Sequence, residues 1–328
     1  MMRVRIVKDW PYPESFFGQT PSGDGEWDGI MFTEEKLAVC DYLIVLQRPP
    51  YSIKVTCPEG NAWLITQEPP TDYFDFFIKS FKYFDRVYSY YKNIDHPHIQ
   101  SMQPVLPWHL LKSYKELSAI TKEHLSHKKP ELVWITSNKS GFPGQKARML
   151  LKEYMQASHF DFHLFGSGFT PIHDKFDGLF PYQYALVIEN YSTDHYWTEK
   201  LADSFLSWCL PFYWGAGNLE TYFDPDSFIR IDIHDPERAL STIRDAIKNN
   251  EWERRLGAIE KARNQILNEY QFFPYVTKMI KEHRATNLPM TKKERYIPYN
   301  PHPWANHRTN QVKYYIRRVW NLLFSRKW

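Results

Sequence analysis

The residues best suited to chemistry lie in one segment, 182–217, where charged side chains follow a strongly apolar run. Residues 184–188 predict a buried strand that delivers Glu189 and Asn190 to its carboxyl end. A polar loop then leads to a predicted helix over 197–208, with Glu199 and Lys200 in its first turn. A helix N-terminus attracts anions such as a diphosphate, and Lys200 would add a full positive charge. The residues alone leave a plainer alternative open, because an acid in a first turn is ordinary dipole chemistry and Lys200 could be solvated.

Two series of strands and helices must position these side chains. Apolar or alternating runs predict strands of a first sheet at 3–7, 42–46, 62–66 and 86–90. A second series predicts strands at 131–136, 160–165, 184–188, 210–213 and 228–231. Helices are predicted at 112–130, 146–157, 197–208, 236–248 and 251–268. Strands alternating with helices indicate parallel, doubly wound sheets, whose ligands lie beyond the carboxyl ends of the strands.

We therefore predict an α/β protein with two Rossmann-like domains facing a cleft. The chain has 328 residues, and its 43% hydrophobic and 17% aromatic residues can fill two cores. The predicted domains are 1–125, which would bind an acceptor, and 130–283, which would bind a donor. A basic, aromatic, helical C-terminal tail would follow over 284–328.

The segment 182–217 resembles the donor-binding signature of glycosyltransferase family 10, the α-1,3/1,4-fucosyltransferases. That pattern runs from an apolar strand through Glu-Asn-Ser and Tyr-x-Thr-Glu-Lys to an apolar helix, a proline, an aromatic residue and Trp-Gly. The matching residues here are Glu189-Asn190, Ser192, Tyr196, Thr198-Glu199-Lys200, Pro211, Tyr213 and Trp214-Gly215. Tyr191, which precedes Ser192, is a small departure. The resemblance covers approximately 130–275 well and the N-terminal half loosely, and it implies the GT-B arrangement.

The resemblance also implies a role for each donor-site residue. Lys200 should pair with the donor diphosphate, and Glu199 should hold hydroxyls of the ribose or the fucose. Asn190 and Tyr196 should line the nucleotide pocket. Further possible donor-binding residues are Ser137, Asn138, Lys146, Gly166, Glu189, Ser192 and Thr198.

The family uses an arginine on the helix that follows a Ser-Asn loop. Here Ser137-Asn138 precedes a Gly/Pro-rich loop and then Arg148, with Lys146 as the second candidate. A guanidinium can hold phosphate oxygens in a bidentate way that lysine cannot. The residues alone leave open that Arg148 is an ordinary surface residue.

Inverting transfer needs a base that deprotonates the acceptor hydroxyl as it attacks the anomeric carbon. Glu68 directly follows a predicted buried strand, and Pro69 restricts it to an extended conformation. The family carries its proposed base at a matching place, so the resemblance implies that Glu68 is the base. The alternative is a loop carboxylate that caps the next helix.

No metal and no cofactor is expected, and GDP-fucose would be the donor substrate. The three cysteines are widely spaced, which favours buried thiols. His124 and His127 have the spacing of two ligands, but no third is evident nearby, and a solvated helix face is the simpler interpretation. Asp224 and Asp226 have the D-x-D form, yet they lie in a turn rich in Asp and Pro.

The basic charge is concentrated in the C-terminal segment. Of 41 Lys and Arg residues, ten lie between Arg284 and Trp328, together with one acid. Apolar residues recur at helical spacing over 312–328, which predicts an amphipathic helix that lies on an anionic membrane or packs on the body. The acidic body argues against nucleic acid. Without a signal peptide or a run of ~18 apolar residues, we expect a cytoplasmic protein, and the basic tail leaves open a peripheral contact with the inner membrane face.

The expected reaction is inverting transfer of fucose from GDP-fucose to a glycan hydroxyl. The acceptor would be an oligosaccharide or glycolipid that contains N-acetylglucosamine or glucose, with an α-1,3 linkage. Surface polysaccharide, lipopolysaccharide or another lipid-linked glycan would suit the basic tail. Two alternatives stay open: a transferase of the same fold with another sugar nucleotide, and a non-catalytic glycan-binding or scaffold protein.

Overall fold

The structure, a computed structural model, describes residues 1–10, 16–69, 74–91, 94–141, 143–286 and 291–301, together with Val312 and Ile316. The chain divides into two compact units. Unit 1 consists of the described residues of Met1–Pro11, Glu26–Pro104 and Ile280–Trp328. Unit 2 consists of those of Tyr12–Gly25 and Val105–Met279.

Strands occur in both units and are numbered in chain order. They are β1 (Met2–Val7), β2 (Glu26–Trp27), β3 (Ile30–Thr33), β4 (Tyr42–Leu46), β5 (Ile53–Pro58), β6 (Ala62–Ile65), β7 (Arg86–Ser89), β8 (Ile99–Ser101), β9 (Lys129–Ile135), β10 (His163–Phe165), β11 (Tyr182–Ile188), β12 (Leu210–Trp214), β13 (Ile229–Arg230) and β14 (Lys292–Ile297).

Helices lie between several of these strands, mainly in the second unit. They are α1 (Phe74–Ile78), α2 (Tyr114–Ser118), α3 (Pro143–Ala157), α4 (Lys175–Leu179), α5 (Glu199–Leu206), α6 (Pro236–Lys248), α7 (Glu251–Arg254), α8 (Leu256–Gln265) and α9 (Phe272–Thr286).

Unit 1 is built on a sheet with the strand order β2-β3-β1-β4-β6-β7-β8. All pairs are parallel except β2 with β3. The central strand β4 is buried at every residue, as its continuous apolar sequence predicts. Strand β14 joins this unit by antiparallel pairing with β5, from Lys292 opposite Pro58 to Ile297 opposite Ile53.

Unit 2 is built on an all-parallel sheet with the order β10-β9-β11-β12-β13. The packing of β11 explains why its sequence is almost continuously apolar. Tyr184, Leu186 and Ile188 pack into one core, and Ala185 and Val187 pack into another. Because successive side chains of a strand point to opposite faces, a strand covered by helices on both faces needs apolar residues at every position. The predicted α/β class with two parallel sheets is confirmed.

The observed division differs from the predicted boundaries. The segment 105–125 belongs to unit 2 rather than to the N-terminal unit, and residues 280–301 return to unit 1. The predicted tail therefore starts with the last residues of α9 and then contributes β14 to the first unit, because the backbone of β14 completes a ladder with β5. The helix and membrane contact predicted over 312–328 lie outside the described residues, apart from Val312 and Ile316, which are helical and exposed.

Two predicted helices have different forms. The stretch 112–130 is not one helix: it contains α2, a 3₁₀ turn at Lys122–Leu125 and the start of β9. His124 accepts from or donates to Thr121 at the start of that turn, with its Nδ1 atom 3.1 Å from the hydroxyl. The region 251–268 is divided into α7, α8 and a π-helical turn at Ile266–Tyr270. Local hydrogen bonds and packing have overridden the periodicity in both places.

Candidate functional site

The site residues of unit 2 lie where three parallel strands end. Ser137 follows β9, Glu189 follows β11 and Gly215 follows β12. The backbone N–H of Glu189 donates to the carbonyl of Trp214 over 2.9 Å, so the ends of β11 and β12 are tied together. Helices α3 and α5 begin near the same edge. The topology thus brings residues that are distant in sequence to the carboxyl edge of one sheet.

Glu189 is the buried centre of the site. Its Oε1 accepts from the backbone N–H of Thr198 at 2.8 Å, and its Oε2 accepts from the Thr198 hydroxyl at 2.7 Å. Lys200 Nζ lies 3.2 Å from the same Oε2 and 2.9 Å from the Thr198 hydroxyl. Burial raises the pKa of Glu189, and Lys200 opposes that shift. The carboxylate therefore anchors the first turn of α5 and holds its lysine.

Gly215 explains the Trp-Gly pair that follows β12. A Cβ atom at this position would lie 2.3 Å from the Tyr213 hydroxyl and 2.6 Å from Cγ of Glu189. A side chain therefore cannot fit here unless Glu189 moves. Ser192 closes the same turn, because its hydroxyl donates to the Gly215 carbonyl over 2.8 Å.

Glu199 is surrounded by nitrogen atoms, and the closest approach of each is to Oε1. Lys200 Nζ lies at 3.4 Å, His109 Nδ1 at 3.9 Å and Lys175 Nζ at 4.0 Å. Burial alone would raise the pKa of Glu199, but these neighbours hold it well below its ordinary 4.5. The side chain keeps 14% of its surface exposed. An ionised carboxylate that still reaches the surface can accept hydrogen bonds from a ligand.

Lys200 is fully charged in this setting. Burial lowers the pKa of Lys200, but Glu189 and Glu199 raise it by more than burial lowers it, so the net shift is upward. The ammonium contacts two carboxylates, Glu189 and Glu199. Because the side chain is 25% exposed, Lys200 also borders solvent.

Arg148 is buried and turns toward the loop after β9. Its guanidinium donates to the carbonyl and the hydroxyl of Ser137, both at 3.1 Å, and to the carbonyl of Lys139 at 3.3 Å. Nη1 lies 3.4 Å from Oδ1 of Asn190. Within the described residues, its Nε atom has no hydrogen-bond partner. Burial lowers its pKa, and the shift has no contribution from a charged neighbour.

The other predicted residues surround this edge in different ways. Lys146 is exposed on α3, whereas Arg148, two positions later, points inward. Gly166 adopts φ +115°, and a Cβ there would lie 1.9 Å from the carbonyl of Thr136. Asn138 packs against the same glycine turn, since its N–H donates to the carbonyl of Ser167 over 3.0 Å. The predicted contacts of these residues with a ligand stay predictions.

Tyr196 lies just before α5 and is only 2% exposed. Its backbone N–H donates to the carbonyl of Thr193 over 3.2 Å. The polar loop that the sequence predicted therefore closes on itself before the helix begins. The role of Tyr196 in a nucleotide pocket stays a prediction.

Three residues of the Glu199 environment were not found by sequence reasoning. Asp203 is 1% exposed and accepts from Lys175 Nζ at 2.9 Å and from the backbone N–H of His109 at 2.8 Å. Asp203 stands four residues after Glu199, on the same face of α5. A carboxylate repeated at that spacing on an apolar helix was a usable signal. His109 and Lys175 had none, because only tertiary contacts bring them there.

The corresponding edge of unit 1 carries Glu68. This residue follows β6 and is exposed, and its backbone N–H donates to Oε1 of Gln47 over 2.9 Å. Gln47 follows β4, is fully buried and also accepts from the N–H of Gln67 at 2.7 Å. The Tyr90 hydroxyl donates to the carbonyl of Glu68. The backbone around the predicted base is thus fixed by the ends of β4 and β7.

Two features are missing from the described residues. These residues contain no cluster of three or more His, Cys, Asp or Glu side chains arranged to bind a metal ion. Nor does that part of the chain include a helix of sufficient length and apolarity to traverse a bilayer.

Comparison with solved structures identifies the fold. An α-glucosyltransferase in complex with UDP and a 13-mer DNA containing a central A:G mismatch aligns with a TM-score of 0.53 at 10% identity, over 87% of this chain and 100% of that chain. An α1,3-fucosyltransferase with GDP-fucose aligns with a TM-score of 0.47 at 15% identity, over 88% of this chain and 92% of that chain. The fold is the GT-B fold of glycosyltransferases, as predicted.

Sequence comparison finds a family match within the second unit. Residues 125–255 match the family model "Glycosyltransferase family 10 (fucosyltransferase) C-term". The α-(1,3)-fucosyltransferase FucT of Helicobacter pylori is 34% identical over 64 residues. That match spans 20% of this chain and 13% of the length of the relative. The resemblance to glycosyltransferase family 10 is thus confirmed for this segment.

Proposed function

We propose that the protein is an inverting glycosyltransferase that moves fucose from GDP-fucose to a hydroxyl of a glycan acceptor. Support for a nucleotide-sugar donor comes from the family match of residues 125–255 and from the chemistry of the edge that they build. The acceptor would contain N-acetylglucosamine or glucose, and the linkage would be α-1,3.

One observation carries the donor proposal: two cations contact the consecutive residues at the end of β11. Lys200 pairs with Glu189 at 3.2 Å, and Arg148 contacts Asn190 at 3.4 Å. Arg148 is 3% exposed, has no carboxylate within ion-pair distance in the described part of the chain, and retains an unused Nε. A buried guanidinium without a counter-ion is costly, and an incoming diphosphate would supply one.

The proposed chemistry gives a role to residues of each unit. Arg148, Lys200 and the N–H groups at the start of α5 would stabilise the charge that develops on the departing diphosphate. Glu68 would take the proton of the acceptor hydroxyl as that oxygen attacks the anomeric carbon from the face opposite the nucleotide. The sugar configuration would invert in this single displacement.

Calorimetry with GDP, GDP-fucose, GDP-mannose and UDP-glucose tests the donor assignment. Wild type should bind GDP and GDP-fucose in the micromolar range, and Lys200→Ala should weaken both strongly. Lys261→Ala is a matched control, because Lys261 is 62% exposed and pairs with Asp224 outside this site. Binding of GDP without any gain from fucose would support another donor sugar. Binding of none of the four would overturn the donor proposal and favour a scaffold.

A turnover assay then tests the base separately from donor binding. Glu68→Gln should abolish transfer to glycan acceptors and leave the GDP affinity at the wild-type value, because Glu68 belongs to unit 1 and the diphosphate contacts to unit 2. Wild-type turnover by Glu68→Gln would reject Glu68 as the base and leave the donor assignment standing.

A further inference from the structure

We propose that Lys175 and His109 are positioning residues that orient Glu199 toward the hydroxyl groups of the nucleotide sugar. They would hold Oε1 of Glu199 so that Oε2 can accept a hydrogen bond from a ligand. This inference rests on the proposed donor site and adds to it the groups that set its selectivity for hydroxylated ligands.

The geometry around Glu199 is one-sided. Lys175 Nζ and His109 Nδ1 approach Oε1 at 4.0 and 3.9 Å, and both contacts come from outside helix α5. Lys200, in the next position of the helix, adds a third approach to the same oxygen at 3.4 Å. A carboxylate that is attracted at one oxygen by two ammonium groups, with the His109 ring beside the same oxygen, loses rotational freedom about its terminal bond. Its orientation is thereby set before a ligand arrives, which lowers the entropic cost of binding.

Asp203 fixes the two positioning residues in turn. It accepts from Lys175 Nζ at 2.9 Å and from the backbone N–H of His109 at 2.8 Å, and it is almost fully buried. Because Asp203 lies one turn after Glu199 on α5, the helix carries both the anchor and the carboxylate. The distance from Asp203 to Glu199 is therefore set by helix geometry.

A second lysine–aspartate pair in unit 2 shows what a purely structural pair looks like. Lys112 Nζ lies 3.5 Å from Asp174, which is 6% exposed in its side chain and also accepts from the N–H of Leu111 at 3.0 Å. Lys112 is 30% exposed and Lys175 is 27% exposed, so the two lysines are equally accessible. Of these two lysine–aspartate pairs, only the Lys175 pair extends to Glu199. Lys112 is therefore a matched control.

The test measures what each ligand hydroxyl contributes to affinity. Two affinity ratios are determined by calorimetry: GDP over 2′,3′-dideoxy-GDP, which reports the ribose hydroxyls, and GDP-fucose over GDP, which reports the fucose. Lys175→Met should reduce at least one ratio by about tenfold, because the loss of one hydrogen bond to a charged group has that order of effect. Lys112→Met should change neither ratio, and Lys175→Arg should restore most of the lost ratio.

His109→Asn provides an independent variant that keeps the backbone bond to Asp203 and removes only the ring. It should reduce the same ratio in the same direction, so the inference stays testable if Lys175→Met fails to fold. Both ratios unchanged in folded Lys175→Met, or unchanged in His109→Asn when Lys175→Met does not fold, would overturn the positioning role. Absence of GDP binding by the wild type would instead mark the failure of the proposed function itself.

Discussion

Replacing Lys200 by methionine should destabilise unit 2, and the structure allows the cost to be worked out. Methionine keeps an apolar stem of similar length and removes the ammonium that lies 3.2 Å from Glu189. Breaking a fully buried ion pair costs about 3–5 kcal/mol, chiefly because one charge is left buried. Lys200 is 25% exposed, and Glu189 keeps its two hydrogen bonds from Thr198. We therefore expect a loss of about 2–3 kcal/mol in the free energy of unfolding.

A second variant separates the buried charge from ligand binding. In Glu189→Gln/Lys200→Met the amide oxygen can still accept from the N–H of Thr198, and the amide nitrogen can donate to its hydroxyl. The double variant should recover about 1–2 kcal/mol relative to Lys200→Met, since no charge remains unpaired. Its GDP affinity should stay as low as that of Lys200→Met, because the ammonium is still missing.

The stability loss in Lys200→Met should depend on pH, and the pKa shift of Glu189 gives the direction. Burial raises the folded-state pKa of Glu189 above its ordinary value, so folding favours the protonated form. The penalty in Lys200→Met is therefore present at high pH and is relieved as pH falls through the folded-state pKa. Guanidinium unfolding followed by tryptophan fluorescence should show the deficit shrinking from pH 8 to pH 5. Equal stabilities of the single and double variants at pH 8 would refute the buried-charge reasoning.

Three other outcomes are expected. Gly215→Ala should cost about 1–3 kcal/mol in thermal unfolding, because its Cβ would lie 2.3 Å from the Tyr213 hydroxyl. The control Gly257→Ala on α8, where a Cβ would meet nothing within 4 Å, should be neutral or stabilising. Equal effects of the two substitutions on stability would contradict this reasoning. Arg148→Lys should weaken GDP binding in calorimetry, because an ammonium lacks the planar fork, and an unchanged affinity would contradict that role. Glu199 has a depressed folded-state pKa, so the stability it adds is present above pH 4.5 and lost as pH falls. In chemical denaturation the advantage of wild type over Glu199→Gln should shrink below that pH, and a constant difference would exclude the linkage.

Local patterns predicted individual elements of both units. The helix at 236–248 and the strand at 42–46 have the predicted bounds, and β11 and α5 flank the loop that was expected to carry the donor chemistry. These elements are strongly periodic or continuously apolar, so neighbouring residues alone specify them. The strand β14 is different, because its pairing partner β5 lies more than 230 residues earlier in the chain.

The amino-acid sequence by itself determined the class of fold and the family resemblance of residues 125–255, and it predicted a site from the residues that follow β11 and begin α5. Those properties follow from side chains that lie close together in the chain. Only the tertiary structure decided that Glu189 is a buried anchor and that Lys175 and His109 converge on Glu199. Burial and ion pairing depend on how distant segments pack, and a carboxylate acquires its charge state and orientation only from the groups that packing brings around it.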